Sequence, residues 1–60
     1  MIEDGEDILL VGRKREYFVK AGEGRFSTDQ GMIDLGEVAG MRPGDEIRTH
    51  LDVPFVVLRP

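Results

Sequence analysis

The chain has 60 residues, no cysteine, one histidine and a formal net charge of −4. A domain of this length buries only about 60% of the surface of its unfolded chain. It has no disulfide, no Cys/His zinc cluster and none of the GxGxxG, GxSxG, HExxH or P-loop motifs. These features exclude a zinc-stabilised fold and argue against an independent enzyme. They favour a small accessory domain stabilised by its core, by oligomerisation or by a neighbouring domain.

The negative charge is concentrated at the N-terminus. Four acids lie within the first seven residues, and the other eight acids balance the eight lysines and arginines. Because affinity for nucleic acid depends chiefly on bases that neutralise phosphates, we expect the isolated chain to bind RNA or DNA poorly. The acidic start is unlike a signal peptide, and no apolar run reaches the roughly 18 residues of a membrane span. We therefore expect a cytoplasmic protein without membrane contact.

The first half of the chain predicts two β-hairpins. The apolar run 8–11 and the β-rich run 16–20 flank a polar, glycine-containing connection, which is typical of a hairpin. Residues 25–28 and 32–35 flank a second turn. In this turn Asp29 and Gly31 suit a tight bend that needs one residue at positive φ, so we interpret them as turn-forming residues.

The second half predicts one helical turn and two further strands. Residues 36–40 are short enough for a single helical turn, and the Pro-Gly pair at 43–44 indicates a reversal of the chain. Residues 45–51 alternate as a strand, and 55–58 form an apolar strand. The alternation places three side chains on one strand face: Ile47, Thr49 and Leu51. We therefore predict a single all-β domain over residues 1–60, a small antiparallel barrel or sandwich of five to six short strands with one short helical turn.

His50 is the first candidate for a functional residue, because histidine is the side chain best suited to proton transfer near neutral pH. A catalytic histidine needs a second acid or a nucleophile within hydrogen-bond reach, and the sequence places none there. We interpret His50 as a partly buried strand histidine, hydrogen-bonded to the backbone or to a neighbouring domain. No catalytic or metal-binding residue is predicted.

The only run of bases, Arg13-Lys14-Arg15, falls on the predicted first hairpin turn. Such a turn could contact phosphates without reading sequence, or it could simply keep an exposed hairpin solvated, and both interpretations stay open. Three aromatic residues near it could stack on unpaired bases, as in small β-barrels that bind single strands. Core packing is the better interpretation of most of these three: Tyr17, Phe18 and Phe26.

The segment 25–60 resembles the N-terminal β-domain of tRNA (adenine-58-N1)-methyltransferases, especially the archaeal form. That family has a Phe, a polar residue, Thr-Asp, any residue and Gly before an apolar strand. A short helical turn follows, then Gly, Ile and Ser/Thr-His, and finally Phe with an apolar strand ending in Leu-Arg-Pro. The matching positions are Phe26, Thr28, Asp29, Gly31, Ile33, Leu35, Gly44, Ile47, Thr49, His50, Phe55, Leu58, Arg59 and Pro60. Ser27 departs from the pattern, since archaeal relatives tend to have His there.

The resemblance implies an accessory domain that contacts tRNA or supports assembly of a larger enzyme. In that family a Rossmann-like catalytic domain binds S-adenosylmethionine and methylates tRNA, and the enzymes are generally tetramers. The resemblance thus implies a catalytic methyltransferase domain, tRNA and further copies of the parent as partners. The cofactor belongs to the parent, and none is expected in this chain. The candidate contacts with RNA or a partner are Arg13, Lys14, Arg15, Arg25, Arg48 and His50.

Two alternative functions are kept beside this one. The negative charge and the small core also suit a protein-interaction or oligomerisation module with no direct role in RNA binding. A free-standing barrel that binds single-stranded nucleic acid through its aromatic residues is a third hypothesis, which the few aromatics and the negative charge disfavour.

Overall fold

The computed structural model describes all 60 residues, as six β-strands and one 3-10 turn. The strands are β1 (Asp7–Val11), β2 (Glu16–Lys20), β3 (Arg25–Thr28), β4 (Gly31–Asp34), β5 (Glu46–Arg48) and β6 (Pro54–Leu58), and the 3-10 turn spans Leu35–Glu37. The predicted all-β class is confirmed, as are the two hairpins in the first half of the chain.

The strands form two antiparallel sheets. The four-stranded sheet has the order β2-β1-β6-β5, and the two-stranded sheet is the hairpin β3-β4. Strand β6 therefore lies in the interior of the larger sheet, where Leu10 of β1 is opposite Val57 and Ile47 of β5 is opposite Phe55. Strands β2 and β5 form its two edges.

Alternation along the strands builds the core. In β1 and β6 every second side chain points inward and is fully buried: Ile8, Leu10, Phe55 and Val57. The second sheet contributes Ile33, and the segment after the 3-10 turn contributes Val38. Near the N-terminus, Ile2 exchanges backbone hydrogen bonds with Gly40 and Met41 and completes the core.

The aromatic residues are divided between the core and the surface. The Tyr17 ring packs edge-on against Phe26, with 5.3 Å between centroids, and lies 6.0 Å from the buried Phe55 ring. Core packing was predicted for most of the three aromatic residues, and it holds for Tyr17 and Phe26 but not for Phe18, which is 65% exposed. The reason is the strand period: Tyr17 and Val19 point inward from β2, which leaves Phe18 on the outer face.

The second half of the chain has a shorter fifth strand than predicted. β5 ends at Arg48, and the buried Thr49 begins a turn in which the Asp52 N–H donates to the Thr49 carbonyl at 2.9 Å. Asp52 is the one non-glycine residue at positive φ (64°), a conformation that aspartate tolerates better than most residues. Leu51 lies in this turn and is exposed, so it does not share the buried face of Ile47 and Thr49.

The predicted helical turn exists and begins one residue earlier than expected. The Asp34 side chain accepts a hydrogen bond from the Gly36 N–H at 3.0 Å, which caps the 3-10 turn at its start. Because Asp34 is the cap, the turn begins at the next residue, Leu35. The chain then reaches Val38 and returns toward Ile2.

Candidate functional site

The basic tip, Arg13-Lys14-Arg15, connects β1 to β2 as predicted. All three side chains are exposed, and none of them forms an ion pair. The Gly12 N–H donates to the Arg15 carbonyl at 2.9 Å and closes the turn beneath them. Three adjacent cations without a carboxylate partner are available for anionic groups from outside the molecule.

The other three candidates line one open groove. Arg25 begins β3, Arg48 ends β5, and His50 lies in the turn that follows β5. The groove has a volume of about 490 Å³ and also contains the carboxylates of Asp34 and Glu37. Its remaining lining residues are Met32, Ile33 and Thr49.

The groove is electrostatically balanced, unlike the basic tip. Two arginines face two carboxylates across it, and Arg25 is the register partner of Asp34 at the end of the hairpin. Arg48 is already engaged within its own turn, because it lies 3.5 Å from Asp52 Oδ1 and donates to the Asp52 carbonyl at 3.2 Å. The groove therefore offers hydrogen-bonding groups and one arginine without an ion pair, with no net positive charge.

His50 holds the two sheets together. Its Nδ1 accepts a hydrogen bond from the Met32 N–H at 2.9 Å, and its own backbone N–H donates to the Met32 carbonyl at 3.0 Å. Because Nδ1 is an acceptor, the ring is neutral in this arrangement and carries its proton on Nε2. The predicted backbone hydrogen bond is thus confirmed, but the residue is exposed and lies in a turn instead of a strand. It makes no hydrogen bond to a carboxylate, so its role here is to position the β3-β4 hairpin.

Thr49 reinforces this junction from the buried side. Its hydroxyl donates to the Gln30 carbonyl at 3.0 Å and accepts from the backbone N–H groups of Leu51 and Val53. A Cβ on Gly31 would lie 2.9 Å from the Thr49 hydroxyl oxygen, so a glycine lets the hairpin approach this closely. The groove is therefore a fixed feature of the fold.

A second junction joins the β3-β4 hairpin to strand β2 of the larger sheet. The Tyr17 hydroxyl donates to Asp29 Oδ1 at 2.9 Å and accepts from the Asp29 N–H at 2.8 Å. Asp29 lies in the predicted turn between β3 and β4, and Gly31 has the expected positive φ, but the Asp29 carboxylate contacts the other hairpin. The sequence contained no signal for the pair, because its two residues come from different hairpins.

The strand register places the basic tip and the turn after β5, which contains His50, at the same end of the larger sheet. β1 and β6 pair with Val11 opposite Val56, so the connection after Val11 lies beside the start of β6. Pro54 at that start is opposite Arg48. The basic tip, Arg48 and the turn that contains His50 are therefore brought to one end of the larger sheet.

The four acids of the N-terminal stretch lie at the other end. β1 begins at Asp7, which pairs with Lys20 at 2.7 Å, and its five residues span roughly 17 Å before the basic tip. Glu6 bonds Arg59 at 2.6 Å, and this hydrogen bond, followed by one from the Glu3 N–H, lowers the pKa of the Glu6 carboxyl. The basic tip is thus separated from the N-terminal acids by the length of β1.

No group of three or more His, Cys, Asp or Glu side chains is placed to hold a metal ion. No helix has the length and apolar composition needed to cross a membrane.

The fold is that of a small all-β domain with two antiparallel sheets. No family model matches the sequence. Among solved structures, the chain is similar to the SAM-dependent O-methyltransferase of Thermotoga maritima, with a TM-score of 0.90 and 31% sequence identity. The match covers 98% of this chain and 23% of that protein. The chain thus has the fold of a segment that makes up less than a quarter of a methyltransferase.

Proposed function

We propose that this chain is the accessory N-terminal domain of an S-adenosylmethionine-dependent tRNA (adenine-58-N1)-methyltransferase, and that it helps to hold the tRNA. The observation that carries the proposal is the near-complete overlap with a segment of a SAM-dependent methyltransferase. The ordered motif from Phe26 to Pro60 supports the tRNA enzyme in particular. The Thermotoga protein is an O-methyltransferase, so the choice of a tRNA nitrogen as acceptor depends on the sequence resemblance.

The charge distribution supports a gripping role at the basic end. Arg13, Lys14 and Arg15 are exposed and have no carboxylate partner, so they can meet phosphates without first breaking an ion pair. Arginine and lysine contacts to phosphate set position and affinity without reading base sequence. Arg25 in the groove is a further contact of the same kind. The acidic end would face away from the RNA.

We place the S-adenosylmethionine site of the proposed enzyme outside this chain. The groove is open and charge-balanced, and no strand is followed by a glycine-rich turn and a helix, since the single helical element is a 3-10 turn. The cofactor and the methyl transfer accordingly belong to the remainder of the parent enzyme. The catalytic domain is then the direct partner of this chain, and the resemblance also implies a homo-oligomeric parent.

Titration of the ¹⁵N-labelled chain with transcribed tRNA tests the proposal. We expect weak binding, with a dissociation constant on the order of 10⁻⁴ M at physiological salt, and shift changes centred on the basic tip. The triple variant R13Q/K14Q/R15Q should bind more weakly. Its salt dependence should be shallower by about one in log–log slope for each phosphate interaction that the substitutions remove.

The chain offers a matched control for these changes. Arg42 is also exposed and without an ion pair, but it lies in the turn that precedes β5, at the end opposite Arg48. R42Q should bind tRNA like the unaltered chain, whereas R13Q alone should bind more weakly. Unchanged shifts at the basic tip, or equal losses of affinity for R42Q and R13Q, would contradict a phosphate-gripping role for this end.

A further inference from the structure

The free edge of β2 is the most accessible pairing surface of the molecule. β2 is an edge strand of the four-stranded sheet, and Phe18 at its centre is 65% exposed. Edge strands with unpaired backbone groups are templates for another strand unless something blocks them. β2 contains no proline, no glycine and no bulge in its pairing with β1.

The hydrogen-bond pattern shows which backbone groups are free. The Ala21 N–H donates to the Glu6 carbonyl and the Gly12 N–H to the Arg15 carbonyl, and these bonds bracket the β1-β2 ladder. Because pairing alternates along an antiparallel ladder, every second residue of β2 faces β1 and the others face away. The residues that direct their N–H and C=O groups to the free edge are Glu16, Phe18 and Lys20.

The sequence of β2 is self-complementary when two copies run antiparallel. With Phe18 opposite its own copy, Glu16 of each chain lies opposite Lys20 of the other. The three residues that offer free backbone groups are the same three whose side chains share the outer face, so backbone bonds and ion pairs form together. Lys20 also bonds Asp7 at 2.7 Å, and its ammonium has two further N–H donors for a second carboxylate.

Apolar side chains form a row across the outer face of the sheet. In the paired arrangement this row would continue from one copy of the chain into the other. Leu9 is the register partner of Phe18 on one side and of Leu58 on the other. Phe18 and Leu58 are both exposed in the single chain. Pairing two β2 strands would place the two Phe18 rings side by side, where aromatic cross-strand pairs are favourable.

We propose that a second copy of this chain pairs with the β2 edge, antiparallel and centred on Phe18, to give a continuous eight-stranded sheet across a two-fold axis. The pairing identifies the surface through which copies of the proposed homo-oligomeric methyltransferase would associate. In that respect this inference rests on the proposed function and extends it. It depends on β2 and its neighbours alone, and its test contains no RNA, so either proposal can fail without the other.

Charge reversal distinguishes this dimer from others. E16K places lysine opposite lysine, and K20E places glutamate opposite glutamate, so each variant should self-associate about tenfold or more weakly in sedimentation equilibrium. An equimolar mixture of E16K and K20E should recover association. In the mixed dimer one chain has lysine at positions 16 and 20 and the other has glutamate at both, so both cross-strand pairs unite opposite charges if the strands pair as proposed. Since K20E also removes the exposed pair with Asp7, which contributes little to stability, a thermal melt of each variant verifies its fold.

Glu46 provides the matched control. It is an exposed glutamate on β5, the opposite edge of the same sheet, and E46K should leave association unchanged. Amide hydrogen exchange adds a direct readout: the N–H groups of Glu16, Phe18 and Lys20 should become protected as concentration rises. A chain that stays monomeric into the millimolar range, a mixture that does not associate, or exchange at these amides independent of concentration would overturn the proposal.

Discussion

Gly12 shows how one missing side chain shapes the basic tip. A Cβ at this position would lie 2.5 Å from Phe55 Cε2, well inside van der Waals contact, and Phe55 is fully buried. The ring therefore fills the space directly beneath the connection that carries the three bases. The tip is held by the largest side chain of the core, so its position is fixed although its own residues are exposed.

We expect G12A to destabilise the fold by about 1–3 kcal/mol, because an added methyl group must displace the Phe55 ring in a packed core. Urea unfolding measures the loss. The double variant G12A/F55L should be less destabilised than the sum of the two single changes, since the smaller side chain leaves room for the methyl group. If the losses in unfolding free energy of the two single variants simply add in the double variant, the contact between residues 12 and 55 is not the cause of the destabilisation.

At the scale of elements, the local features were predictable and the long-range ones were not. Alternation and turn residues predicted both hairpins, because their partners are close in sequence. The insertion of β6 between β1 and β5 depends on partners from opposite ends of the chain, such as Leu9 and Leu58, for which no local pattern exists. The exposure of Phe18 depends on which face of β2 turns to the core, and the packing of Tyr17 and Val19 decides this.

The candidate site, too, has a part that the sequence could predict and a part that it could not. The basic tip was predictable, because it is one run of residues on a predicted turn. The groove draws Arg25, Arg48 and His50 from three segments, and its two acids, Asp34 and Glu37, were not predicted. Their presence matters, because it turns an apparent cluster of bases into a charge-balanced surface.

The junction between the two sheets can be tested at Thr49. T49V keeps the shape of the side chain but leaves the Gln30 carbonyl and the Leu51 and Val53 N–H groups without their partner. We expect a loss of about 1–3 kcal/mol in the free energy of unfolding. T49S retains the hydroxyl and should lose clearly less. Equal losses for the two variants would attribute the effect to packing.

For the whole molecule, the main feature is charge separation along the larger sheet. The acids gather where Glu6 bonds Arg59, which also donates to the Met1 carbonyl at 2.9 Å. The bases gather at the tip after Val11. A chain of net charge −4 can therefore present a positive end to an anionic partner while its acidic end is turned away.

The Glu6–Arg59 pair gives the fold a defined pH dependence. Because the hydrogen bond from Arg59 lowers the pKa of Glu6 in the folded state, the pair stabilises the fold above the ordinary carboxyl value of 4.5. This stability is lost as the pH falls below that value and through the folded pKa. We expect E6Q to lower the melting temperature near neutral pH and to approach the unaltered chain in acid.

E3Q is the control, because it removes a nearby carboxylate that accepts no hydrogen bond and leaves the Glu3 N–H to bond Glu6. Melting curves collected from about pH 7 to pH 3 should show the acid-dependent difference for E6Q and almost none for E3Q. If the melting temperature of E6Q differs from that of the unaltered chain by the same amount at every pH, the ionised pair is not the source of the difference.

The interior position of β6 has a consequence for how the protein is made. A ribosome releases β1 to β5 before it releases Pro54–Leu58, so both hairpins can form early while the larger sheet lacks one of its central strands. Until that strand emerges, the edges of β1 and β5 that it will join are open to wrong partners. The nascent domain is therefore most exposed to misfolding just before β6 is delivered.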